Sequence, residues 1–164
     1  MADRVYNVLF ICTGNSARSI MAEATMNQLG RGRFKAFSAG SHPTGRVHPM
    51  ALQALRAMAV PTEGLRSKSW DEFATPSPLA VDFAFTVCDK AAGEACPVWP
   101  GQPMTAHWGV EDPAAFIGTE AQVRYEFDRV LLLLRRRIEL FLSLPLGDID
   151  AMSLQTKLRE IGRS

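Results

Sequence analysis

Cys12 and Arg18 frame the stretch CTGNSARS with five residues between them, and a thiol at that distance from a guanidinium suggests a definite chemistry. A guanidinium is a planar, permanently charged fork that grips two oxygens of a tetrahedral oxyanion at once. The amides of Thr13, Gly14, Asn15, Ser16, Ala17 and Arg18 can turn toward a common hollow, and a helix starting there adds its positive end. A thiol on the floor of such a hollow is expected to have a lowered pKa, so that the thiolate, the actual nucleophile, is populated near neutrality. Ser19 can donate a further hydrogen bond to the sulfur, and Gly14 and Asn15 are residue types that tolerate the positive φ values a tight anion-binding loop requires. Nucleotide-binding loops need GxxxxGK[ST] or GxGxxG, and the stretch contains neither.

Three more residues extend this chemistry. A thiolate attacking a tetrahedral oxyanion needs an acid to protonate the departing oxygen, and Asp112 is a candidate. Its partner Pro113 also suits a dull role, Asp as helix cap and Pro at the first helical position, and the two roles are compatible. Cys88 and Cys96 stand in TVCDKAAGEACP with seven residues between them. Were that stretch helical, their Cα atoms would be roughly 12 Å apart at the rise of an α-helix. A disulfide needs about 4.4–6.8 Å, so a bond between them requires the segment to loop out, with Gly93 a weak point and Pro97 a stop. The alternative is a pair of cysteines buried as small hydrophobes.

The elements that must position these residues follow from periodicity. Val5, Val8, Leu9, Phe10 and Ile11 read as a buried strand that delivers Cys12. A helix follows through Ile20, Met21, Ala24 and Met26 to Leu29, and Gly30 with Gly32 ends it. Phe34 to Ala39 is a short strand, Val47 to Val60 a helix stopped by Pro61, and Trp70 to Phe73 one helical turn. Val81 to Val87 is a second central strand that delivers Cys88, and Met104 to Trp108 a fourth. Glu120 to Leu144 is the clearest helix, with a stripe from Val123 to Leu142. Its Arg135 to Arg137 run reads as a solvated face with one or two stems packed on the surface. Asp148 to Gly162 reads as a C-terminal amphipathic helix. This alternation predicts an α/β fold, an open four-stranded parallel sheet with helices on both faces, whose ligands bind beyond the carboxyl ends of the strands. Residues 1–164 form one domain in this reading, with 145–164 a C-terminal extension helix.

Composition bounds the function. The chain has 164 residues, 47% hydrophobic, which suits one soluble domain with a sizeable core. Eighteen Lys and Arg against seventeen Asp and Glu leave no field to recruit nucleic acid or an anionic membrane, so an anion must be held by local geometry. No segment reads as a signal or a membrane span. Three cysteines without a CxxC pair suit a cytoplasmic protein that uses thiols for chemistry. His42, His48 and His107 lack metal-ligand spacing, so neither a metal nor a cofactor is expected.

CTGNSARS resembles the active-site loop of the low-molecular-weight protein tyrosine phosphatases and of the arsenate reductases built on the same fold. TVCDKAAGEACPVWP followed by HWGVEDPA is similar to the redox segment and acid loop of three-cysteine arsenate reductases, and FSAGSHPTGRVHP extends the likeness across most of residues 5–144. The resemblance implies that arsenate binds in the loop, with phosphate or sulfate as analogues. Cys12 attacks it, Arg18 clamps it and Asp112 acts as acid. Cys88 and then Cys96 pass the oxidation along as disulfides, and thioredoxin, or glutaredoxin with glutathione, restores the thiols. A tyrosine phosphatase is the competitor, although Ala114 and Ala115 stand where its aromatic wall would follow the Asp-Pro. Relatives often carry a second loop cysteine where Ala17 stands and Pro or Gln where Ile20 stands. Some reductases hold potassium through residues resembling Asn15, Glu23 and Ser38 with an acid near residue 68, a position that is Lys68 here.

Overall fold

The structure, a computed structural model, describes residues 4–74, 79–88 and 99–164. Four parallel strands form one sheet in the order β2-β1-β3-β4: β1 (Tyr6–Cys12), β2 (Phe34–Gly40), β3 (Phe83–Thr86) and β4 (Met104–His107). The register runs Phe10 beside Ser38 and Phe85, and Phe85 beside Ala106. Strand β1 is therefore central, and its carboxyl end meets that of β3 at the point where the strand order reverses, where open α/β sheets bind ligands.

Period-two burial sorts the side chains into two faces. Val8, Phe10, Phe83 and Phe85 point to one face, where Phe141 meets Phe83 and Phe85 edge-on and Trp108 stacks on Phe85 at 3.9 Å. Helix α1 (Arg18–Leu29) and helix α3 (Glu120–Leu142) cover this face, and α2 (Pro49–Ala57) packs against both. On the other face Phe37 packs on Phe73 of a 3₁₀ turn, Trp70–Phe73, and Trp70 meets Trp99. The expected α/β architecture is thus present, with helical elements on both faces. Among the described residues no helix is long and apolar enough to cross a membrane.

Boundaries differ from the sequence reading where local chemistry intervenes. The second helix begins at Pro49 rather than Val47 because extended His48 caps it through Met50 N–H, and it ends at Ala57 because Ala59 turns left-handed at φ 57°. The strand expected over 81–87 is ladder-paired only at Phe83–Thr86. Helix α3 stops at Leu142, ahead of Pro145, after a capping box formed by Thr119 and Gln122. The C-terminal helix α4 spans Ala151–Gly162, capped by Asp150 rather than starting at 148. It lies against β4 and α3 with Leu154, Leu158 and Ile161 inward.

One expectation for α3 is overturned. Arg137 is not on a solvated face but buried at 5% exposure, because its guanidinium meets three backbone carbonyls beneath the C-terminal helix.

Candidate active site

The loop between β1 and α1 owes its form to a belt of chain wrapped around its outside. The carbonyls of Thr13, Gly14 and Ser16 accept the N–H groups of His42, Thr44 and His48 at 2.9, 3.0 and 2.8 Å. In a planar trans peptide the carbonyl of one residue points opposite to the N–H of the next. Carbonyls turned out to the belt therefore turn the amides of Gly14, Asn15 and Ala17 inward. Gly40 completes the approach of β2, since a Cβ there would stand 2.5 Å from the Thr13 carbonyl oxygen. Helix α1 then starts at Arg18 with no side-chain cap and no acid in its first turn, which leaves its amino-terminal N–H groups for an anion.

A cavity of about 280 Å³ opens over this loop, lined by Cys12, Thr13, Gly14, Ser16, Ala17, Arg18, Thr44 and Asp112. Asn15 is buried behind it at φ 47°, in the left-handed region, whereas Gly14 is not. Its amide side chain donates to Ser19 Oγ at 2.8 Å and accepts from Lys68 N–H at 2.8 Å. Ser19 is therefore placed behind the loop with its oxygen engaged by Asn15. Lys68 Nζ in turn donates to the carbonyls of Ser38 and Arg66 and lies 3.8 Å from Glu23, which accepts from Ser38 Oγ. An ammonium thus occupies the oxygen-rich space among Glu23 and Ser38. Burial lowers the Lys68 pKa and raises that of Glu23, each shift partly offset by the other's charge.

The Cys12 and Cys88 side chains come together at the ends of β1 and β3, 3% and 2% exposed. Thr13, which also lines the cavity, reaches this meeting, since its N–H lies 3.3 Å from Cys88 Sγ and its hydroxyl 3.5 Å. The Cys12 thiol is accordingly pushed up, not down as the loop alone suggested. The bond with Cys88 is the main cause and burial the next, against the pull of Arg18 and the Asn15 amide. Two neighbouring thiols titrate as a pair, so Cys12 gives up its proton together with Cys88 rather than on its own. Cys96 and the segment joining it to Cys88 lie outside the described residues.

The acid side is tied to the same arginine. Arg18 donates to the Val110 carbonyl at 3.1 Å and stands 3.7 Å from the Asp112 carboxylate. Asp112 also caps the 3₁₀ turn Pro113–Ala115 through Ala114 N–H, the capping role read from Asp-Pro. Thr44, which sequence reasoning passed over, joins the site from the belt. The Gly and Pro of SHPTGR marked a turn there without showing which surface it clasps.

Residues 7–156 match the family described as low molecular weight phosphotyrosine protein phosphatase. An arsenate reductase of Bacillus subtilis is 34% identical over 123 residues, covering 75% of this chain and 85% of its own. Among solved structures, an arsenate reductase in the phosphate binding state aligns with a TM-score of 0.67 at 26% identity, over 82% of this chain and 94% of that one. A thioredoxin-dependent arsenate reductase of Corynebacterium glutamicum aligns with a TM-score of 0.56 at 25% identity, over 86% of this chain and 65% of that one. The chain therefore belongs to the low molecular weight phosphotyrosine protein phosphatase family, alongside its arsenate reductases.

Proposed function

We propose that this enzyme reduces arsenate to arsenite through a three-thiol relay. The Cys12 thiolate attacks arsenic in the anion loop, forming an S–As bond while one oxygen leaves as water, protonated by Asp112. Arg18 and the inward amides hold the remaining oxygens. Cys88 then attacks the Cys12 sulfur. The S–As electron pair stays on arsenic, which falls from pentavalent to trivalent and departs as arsenite, leaving a Cys12–Cys88 disulfide. Cys96 attacks Cys88 in turn, freeing Cys12, and a dithiol protein of the thioredoxin or glutaredoxin type, or glutathione, reduces the Cys88–Cys96 bond.

The observation that carries this reading is the place of Cys88, whose buried Sγ lies 3.3 Å from the N–H of Thr13, the residue that follows Cys12. A phosphatase uses Cys12, Arg18 and Asp112 and has no work for a second thiol against its nucleophile. The cavity lining holds no aromatic ring among the described residues, which favours a small inorganic oxyanion over a phosphotyrosine. The deciding measurement is arsenite production with a thioredoxin or glutaredoxin system in the parent, Cys12→Ser, Cys88→Ser and Cys96→Ser, with aryl phosphate hydrolysis in parallel. All three variants are expected to lose multiple turnover, and only Cys12→Ser to lose hydrolysis. Hydrolysis indifferent to Cys88 and Cys96, with no arsenite from any donor, would establish a phosphatase instead.

A further inference from the structure

Arg137 takes no direct part in that relay, yet its guanidinium is buried and held by three backbone carbonyls. Its NH1 donates to the carbonyls of Trp108 and Gly109 at 3.0 and 2.9 Å, and its NH2 to the carbonyl of Ser164 at 3.2 Å. Ser164 is brought there by α4. Gln155 bonds to the Thr105 carbonyl, the Trp108 indole N–H donates to the Leu158 carbonyl at 2.9 Å, and Gly162 sits so close that a Cβ would stand 2.2 Å from the His107 carbonyl oxygen. On the other side the next carbonyl along the chain, that of Val110, is held by Arg18, which also stands beside Asp112. Three consecutive carbonyls, those of Trp108, Gly109 and Val110, are thus gripped by two guanidiniums.

The two grips differ in what the reaction asks of them. Arg18 must turn its fork to the anion, and in doing so competes with its own hold on Val110. Arg137 is buried and keeps its carbonyls throughout. We propose that Arg137, seated by the C-terminal helix, is a positioning residue for Asp112: it anchors the acid-bearing segment while Arg18 is occupied by substrate. This rests on the reading of Asp112 as the general acid. Three carbonyls in different directions need the planar five-donor fork of arginine, which a lysine reproduces only in part.

The test is a double-variant cycle with Arg137→Met and Asp112→Asn. It is read as single-turnover arsenite formation and as hydrolysis of phenyl phosphate and 2,4-dinitrophenyl phosphate, so that whichever reaction the parent performs reports the outcome. Arg137→Met should lower kcat about tenfold with little change in KM, on the scale that small misplacements of catalytic groups produce. The loss should shrink for the dinitrophenyl ester, whose leaving group needs no acid, and the double variant should be no slower than Asp112→Asn. Losses that multiply in the double variant, or that fall equally on both esters, would overturn the proposal. Should Arg137→Met not fold at the assay temperature, Arg137→Lys carries the same cycle, with a smaller loss expected. If Asp112→Asn itself leaves every rate unchanged, the acid assignment fails on its own account, whatever Arg137→Met does.

Discussion

Behind the nucleophile loop lies Lys68, 9% exposed, and behind the acid segment lies Arg137, 5% exposed. Lys68 has a carboxylate, Glu23, at 3.8 Å, while Arg137 is met by carbonyls, with its Nε left without a partner. The difference follows from the two cations. An ammonium is a strongly hydrated point charge that sheds its proton when buried, so it needs a counter-ion. A guanidinium stays charged and spreads that charge over a fork that carbonyl dipoles can satisfy. The nucleophile half of the site therefore rests on a titratable pair, and the acid half on a grip that does not titrate.

Removing each cation in turn tests this contrast, and the larger loss should come from Lys68. Glu23 has its pKa raised by burial, so its contribution to stability is fully present below its ordinary value near 4.5 and is lost as pH rises through the raised folded value. Lys68 is lowered, so its own contribution is present above about 10.5 and is lost as pH falls through the lowered folded value. Lys68→Met takes from Glu23 its nearest cation and drives that carboxyl higher still. The variant should lose about 3 kcal/mol at pH 7.5, the scale for breaking a buried pair, and distinctly less at pH 5, nearer to where Glu23 takes up a proton. Arg137→Met should lose about 2 kcal/mol by stranding carbonyls, equally at both pH values. Urea unfolding of both variants at the two pH values decides the matter, and a Lys68→Met deficit that is flat with pH would break the comparison.

A smaller effect should appear in the Cys12 titration, followed by thiolate absorbance or by alkylation rate against pH. The bond with Cys88 is the largest influence raising the Cys12 pKa, so Cys88→Ala should bring it down toward what Arg18 and the Asn15 amide favour. Arg137→Met, which acts on the other half, should leave that titration in place. A Cys12 pKa that stays or rises in Cys88→Ala would mean that burial, not the partner thiol, holds the proton.

Much of this site was legible because its chemistry is local in sequence. Cys12 to Ser19 declares a loop at a strand-to-helix junction, and the four strands and α3 follow from apolar periodicity. The shortfalls come from partners far along the chain. That the Cys12 thiol would be pushed up depends on Cys88, 76 residues away, and on which side of the crevice Thr13 turns its amide. Arg137 looked like one of three surface arginines because it closes the Arg135 to Arg137 run flanked by the apolar stripe. Only the docking of α4 on β4 shows that its fork has carbonyls to reach. The belt at His42, Thr44 and His48 acts through backbone N–H groups, which side-chain identity does not report.

Asn15 offers the finest test of how the nucleophile half is held. Its left-handed backbone costs an ordinary L-residue about 1–2 kcal/mol, which asparagine lessens and glycine escapes. Its side chain separately ties Ser19 to the Lys68 backbone. Asn15→Gly keeps the conformation and loses the ties, while Asn15→Ala loses both, so the alanine variant should unfold more easily by about 1 kcal/mol beyond the glycine variant. Both should bind phosphate more weakly than the parent, since the amide of residue 15 is then positioned by the outer belt alone. If the glycine variant were the less stable, conformational freedom in its unfolded chain would outweigh the strain it relieves. Lys68 would then be holding a loop whose shape the belt already fixes, and the nucleophile half would come to resemble the acid half, a segment secured from outside by grips on its carbonyls.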